Sequence, residues 1–250
     1  MIDSTHILTA IEASILHTRP FIHLRLSEVF RQDDYQEILR LLPSPNEYIE
    51  LRHKDARMPD STYSRLEFLL TNEKIKQLDS ERSQFWQNVR SALEHPDIAN
   101  AFMEKLAELD FHVPLTSRAS LRLSLVRDLP GYFIRPHQDI PNKLLTTQVY
   151  LPQNDRWPKL GTKFYTRDQN GMFKTDISVP FLPNSGYAFP VTKNSWHGVD
   201  VTPPEAPERN SLMMIWYVDG KLAKLAATAR HVLRRFQTCS TSLIKFRKIR

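Results

Sequence analysis

The chain has 250 residues, 41% hydrophobic and 25% charged, which suits one domain with appendages and a full core; its single cysteine, Cys239, excludes an intrachain disulfide. The net charge of +6 is unevenly spread: nine of the 34 basic residues lie in 221–250, which holds no acid, so the remaining 25 bases face 28 acids at a net of −3, and the body is excluded as a general polyanion binder. No apolar run reaches the length of a membrane span, and the first 20 residues carry Asp3 and Glu12 without a basic start, unlike a signal peptide; with one cysteine, a cytoplasmic setting is expected.

All six glycines lie between Gly131 and Gly220, so turns with positive φ are expected there and a helix-rich stretch before them. After Asp3-Ser4-Thr5, a plausible N-cap, Ile7, Leu8, Ile11, Ile15 and Leu16 recur at helical spacing. Phe21 to Leu26 alternates like a strand, and Asp33 to Leu42 reads as a helix stopped by Pro43. Residues 44–72, rich in Pro, Asp, Arg and Tyr, read as irregular, and 52–66 as a lid carrying Arg52, His53, Arg57, Tyr63 and Arg65. Two helices are expected over 81–94 and 97–109, joined at His95-Pro96. The β region opens at 119–127 and continues near 132–136, 146–151, 161–166, 177–181, 186–190, 196–201 and 210–218. Eight short strands with turn signals between them predict a double-sheet jelly roll. A tail follows over 221–250. Leu222, Leu225, Ala226, Ala229, Val232, Leu233 and Phe236 form one helical stripe, with Lys221, Lys224, Arg230, Arg234 and Arg235 largely off it.

Within the β region stand His137-Gln138-Asp139, then His197, then Arg209-Asn210-Ser211. Two residues apart on an extended segment, His137 and Asp139 point the same way. Two imidazoles and one carboxylate occupy one face of a ferrous ion and leave the other face open. Zinc is the chemical rival for such a set. Arg209, 12 residues past His197, offers a guanidinium that pairs a carboxylate with two parallel hydrogen bonds, and Ser211 adds a hydroxyl on the same face. Order, spacing and strand-like flanks together resemble the 2-oxoglutarate- and Fe(II)-dependent dioxygenases, whose motif is HxD…H…RxS. The resemblance covers 119–218 well and Phe21 to Pro43 loosely; 44–118 and the tail carry no matching motif.

The resemblance implies an α+β chain: a double-stranded β-helix core over 119–218, buttressed by a helix-rich 1–118, the two forming one catalytic domain over 1–220, with a basic amphipathic helix after it. It implies His137, Asp139 and His197 as ligands of Fe(II), 2-oxoglutarate as co-substrate held by Arg209 and Ser211, and O2 as oxidant. Further co-substrate contacts are expected from Gln148 and Tyr150, with Leu123 and Tyr132 as alternatives. Family members that halogenate carry Gly or Ala at the place of Asp139, so its carboxylate favours hydroxylation, with 2-oxoglutarate decarboxylated to succinate. On the substrate side Arg122, Arg135, Asn194 and Trp196 are the candidates, for a small metabolite or amino-acid-like substrate ahead of a protein side chain. Two rival functions stand beside this: a jelly-roll ligand-binding module without catalysis, and an oxygenase directed at nucleic acid through the basic tail, against which the acidic body argues. The tail's apolar stripe is expected to cover the body, with a homodimer contact or an anionic membrane surface as the alternatives.

Overall fold

The computed structural model describes residues 2–52, 56–58, 61–111 and 119–218. The expected tail helix over 221–250 lies outside the described residues, as does His53. The first half folds as α1 (Ser4–Glu12), β1 (Ile15–His17), β2 (His23–Leu26), α2 (Gln32–Arg40), β3 (Ile49–Glu50), β4 (Arg65–Leu69), α3 (Asn72–Ile75), α4 (Ser80–Leu93) and α5 (Pro96–Ala107). The described part of the second half carries one short 3-10 helix (Pro158–Leu160) and eight strands: β5 (Ala119–Asp128), β6 (Ile134–His137), β7 (Lys143–Tyr150), β8 (Thr162–Arg167), β9 (Phe173–Val179), β10 (Gly186–Pro190), β11 (Trp196–Val199) and β12 (Arg209–Val218). These are the eight strands expected, with ends shifted by a few residues.

They lie in two antiparallel sheets. The larger runs β1-β2-β10-β7-β12-β5-β4-β3, and the smaller runs β6-β11-β8-β9. Alternation along β12 shows how the larger sheet serves two cores. Leu212, Met214 and Trp216 join the helices in one hydrophobic cluster, where Phe102 of α5 meets Trp216 edge-on at 5.5 Å. Their neighbours Met213, Ile215 and Tyr217 face a cavity on the other side. Between the sheets Phe21, Tyr150, Phe164, Phe181, Tyr187 and Phe189 form a second, aromatic cluster.

Local signals explain most boundaries. Asp3 caps α1 by accepting from the backbone N–H groups of Thr5 and His6 at 3.0 and 3.4 Å. The helix ends earlier than the apolar spacing suggests. Ile15 and Leu16 instead pair with Arg25 and Leu24 in β1, and Ile15 is exposed. The irregular reading of 44–72 is also corrected, since β4 is a full member of the larger sheet, in register with β5 from Arg65↔Asp128 to Leu69↔Ser124. Its period is masked because Arg65 and Glu67, on the cavity side, are charged; they pair there with Asp128 and Arg122, while Leu66 and Phe68 pack among the helices. The lid expected over 52–66 thus ends in a sheet strand that begins at Arg65.

Two stability results follow. Trp86 of α4 is fully buried and donates its indole N–H to the Leu41 carbonyl at 2.7 Å. Trp86→Ala should cost about 3–5 kcal/mol in a denaturant titration. His23, stacked on His17 at 4.8 Å, is held by burial at a pKa of about 4 against an ordinary 6.5, with His17 and Arg25 adding to the depression against an opposing bond from the Phe21 carbonyl. The unfolded chain therefore takes up this proton first. The stability His23 contributes is complete above 6.5 and is lost as pH falls toward 4. His23→Phe should flatten thermal stability against pH across that window.

Candidate metal and co-substrate site

His137 ends β6, and His197 lies opposite it on β11 in the same register. Gly198 permits this approach: a Cβ there would stand 2.7 Å from the Ile134 carbonyl oxygen of β6. Asp139 follows two residues after His137, as the chain leaves the strand. The candidate ligand atoms of His137, Asp139 and His197 all lie within 4.8 Å of one another. The rings of the two histidines are 4.3 Å apart, and His197 also packs on Phe189 at 4.8 Å.

Backbone carbonyls set the tautomers. Nδ1 of His137 is 2.9 Å from the Arg135 carbonyl oxygen, and Nδ1 of His197 is 3.0 Å from that of Ser195. A carbonyl oxygen can only accept, so each Nδ1–H donates, and in the neutral ring Nε2 is then the atom that a metal would take. Burial also lowers the pKa of His197, against the opposing pull of Asp139, and keeps the ring neutral. Burial pushes Asp139 the other way, but His197 in its protonated form, Lys143 and Thr146 outweigh it and hold the carboxyl below its usual range. Lys143 Nζ donates to Oδ1 at 2.5 Å and Thr146 Oγ1 to Oδ2 at 2.7 Å, so β7 fixes the carboxylate's orientation.

The triad borders a cavity of about 260 Å³ between the sheets. Its walls carry Arg65, Glu67, Arg122, Lys143, Gln148, Thr162 and Tyr187, among others. Gln148, expected to contact the co-substrate, is one of these lining residues. Its amide nitrogen donates to Ser211 Oγ at 2.8 Å, and its carbonyl accepts from Tyr187 Oη at 2.6 Å. Tyr150 is buried behind this wall, where its hydroxyl donates to Thr162 at 2.9 Å. Of the two alternatives, Leu123 packs in the helix-side cluster, and Tyr132 is buried beneath the Arg65 guanidinium, 4.4 Å from its ring centroid.

Arg209 is 1% exposed, with its guanidinium 5.3 Å from the Phe181 ring centroid and 5.9 Å from that of Tyr150. Its Nη1 donates to Asp128 Oδ2. Its Nε and Nη2 are buried without an acceptor among the described residues. Those two nitrogens form the edge that makes parallel hydrogen bonds to a carboxylate, so the site suits an anion of that kind.

Among the described residues lining the cavity, Arg122 is present and Arg135, Asn194 and Trp196 are not. Strand alternation explains one of the three: Trp196, next to His197, turns outward onto Phe173 at 4.8 Å. Arg135 precedes His137 by two, but the pairing of β6 with β11 shifts register over this stretch, and Arg135 is exposed beside Phe133. Asn194 is exposed in the turn before β11. Sequence reasoning did not single out Lys143, Thr146, Asp128, Thr162 or Tyr187. Register with the motif residues was the missing signal: Asp128 lies opposite Arg209, and Tyr187 opposite Gln148.

No protein-family model matches the sequence, and neither does any curated protein sequence. Solved structures do match. A prolyl-4-hydroxylase from Pseudomonas putida aligns over 86% of this chain and 98% of its own, with a TM-score of 0.53 at 13% identity. A prolyl hydroxylase from Trichoplax adhaerens, in complex with a hypoxia inducible factor peptide fragment, aligns over 89% and 91%, with a TM-score of 0.55 at 13% identity. The dioxygenase for auxin oxidation 1 from Arabidopsis thaliana, in its 2-oxoglutarate complex, aligns over 87% of each chain, with a TM-score of 0.51 at 12% identity. The chain has the jelly-roll fold of the 2-oxoglutarate- and Fe(II)-dependent oxygenases.

Proposed function

We propose that this protein is a 2-oxoglutarate- and Fe(II)-dependent dioxygenase that hydroxylates its substrate. One observation carries the reading: the imidazoles of His137 and His197 and the carboxylate of Asp139 converge at the wall of a cavity. His137, Asp139 and His197 would hold the iron, and Arg209 the far carboxylate of 2-oxoglutarate. Together the bound groups supply the oxidation, in which one oxygen atom of O2 enters the substrate as hydroxyl, the other enters succinate, and CO2 leaves. The chain's own groups orient and exclude. Lys143 and Thr146 hold Asp139 in place, and the Gln148–Ser211 and Gln148–Tyr187 bonds stiffen the cavity wall. Met213, Ile215 and Leu51 line the same cavity with apolar surface that limits water. Arg122, on the cavity wall and paired with Glu67 at 2.6 Å, remains our candidate for substrate contact.

Residues 1–220 would act as one catalytic domain, and the helices that pack on the larger sheet support this. No helix among the described residues is long and apolar enough to cross a membrane. The single cysteine supports a cytoplasmic setting. A small metabolite or amino-acid-like molecule fits a cavity of about 260 Å³ better than a folded protein surface does.

The test is a panel of candidate substrates scored for stimulated succinate release by the Fe(II) protein. A hit should gain the mass of one oxygen atom. Stoichiometric Fe(II) and 2-oxoglutarate binding without succinate from any substrate would favour a binding module instead.

A further inference from the structure

We propose that Arg65 is a second cation of the co-substrate anchor and that, with Arg209, it makes the cavity selective for a dicarboxylate. The inference rests on the dioxygenase reading and adds a residue that lies outside its motif.

Arg65, Asp128 and Arg209 form one cross-strand row on β4, β5 and β12. Arg65 grips Asp128 side-on, with Nε on Oδ1 at 2.5 Å and Nη2 on Oδ2 at 2.8 Å. Arg209 reaches the same Oδ2 with Nη1. One carboxylate thus serves two guanidinium groups. The side chains are 13%, 0% and 1% exposed, so the row buries a net positive charge. An uncompensated buried charge is costly unless an opposite charge joins it. Among the described residues of this cavity, the other acids are already engaged: Glu67 with Arg122 at 2.6 Å, and Asp139 with Lys143 at 2.5 Å. The missing anion therefore belongs to a ligand.

The two arginines differ in access. Arg65 lines the cavity and Arg209 is not among its lining residues. Arg65 has spent Nε and Nη2 on Asp128, which leaves Nη1 uncommitted to it. The Tyr132 ring, 4.4 Å from its guanidinium carbon, fixes the plane of the group. A carboxylate entering from the cavity would meet Arg65, and the net positive charge of the row that Arg65 shares with Arg209 would favour it there.

The experiment measures ligand binding to the full-length Fe(II) protein under argon by calorimetry, for wild type, Arg65→Gln and Arg65→Lys. The probes are 2-oxoglutarate and 2-oxobutanoate, which share the keto-acid end and differ in the distal carboxylate. Arg65→Gln should weaken 2-oxoglutarate at least about tenfold, the loss expected for one charge-assisted contact, and shift 2-oxobutanoate less than about twofold. Arg65→Lys keeps the charge without the fork and should fall between. It carries the same comparison if Arg65→Gln does not fold. Unchanged 2-oxoglutarate binding, or an equal loss for both acids, would overturn the proposal. A wild-type protein that binds neither acid would overturn the dioxygenase reading itself, and the anchor with it.

Discussion

His197→Ala should abolish Fe(II)-dependent turnover and leave the fold standing. On the proposed reading iron would have three protein ligands to draw on, and His197 would supply an Nε2 already aimed by the Ser195 carbonyl. Removing it leaves His137 and Asp139, too few to hold a facial set. The structural cost is small for a buried ring. His197 packs on Phe189 and His137 and borders an existing cavity, so truncation enlarges that cavity rather than opening a void in the core. His137→Ala should behave alike, and more mildly for stability, because His137 is only half-buried. Iron stoichiometry, succinate release and thermal unfolding measured on the same preparation separate the two effects. Full turnover in either variant would remove the assignment.

How much of this was legible beforehand depended on where the information sits. His137, Asp139 and His197 are legible because a two-residue spacing and two strand flanks determine their directions. Arg209 is legible because it opens the most strand-like run in the chain. Arg65 is not. It sits in a segment whose Pro, Asp and Tyr content reads as loop, and its role appears only when β4 is laid beside β5 and Asp128 falls opposite it. The same holds for Lys143 and Thr146, whose part in orienting Asp139 depends on how the chain returns from β6 into β7. Trp196 shows the opposite error. Adjacency to His197 suggests the pocket, yet a strand sends neighbouring side chains to opposite faces, and Trp196 goes outward. Local pattern specifies direction within a strand; only the pairing of strands specifies which side chains meet.

Arg209→Lys should raise the 2-oxoglutarate requirement by ~1.5–3 kcal/mol, or about 10- to 150-fold, with iron binding nearly unchanged. The two sites are separable because Arg209 contacts Asp128 and none of the three candidate ligands. The guanidinium does two jobs at once: Nη1 holds Asp128, while Nε and Nη2 remain as a fork for a carboxylate. An ammonium keeps the charge, so the balance of the row through Asp128 and Arg65 stays as before. It cannot hold Asp128 and also present two parallel donors, because its three N–H groups radiate from one atom. The loss should therefore fall on co-substrate affinity rather than on folding, and a rise in the KM for 2-oxoglutarate at unchanged iron stoichiometry reads it directly. An unchanged KM would show that Arg209 is a structural partner of Asp128 alone. The anchor would then pass to the cations that line the cavity, Arg65 first among them.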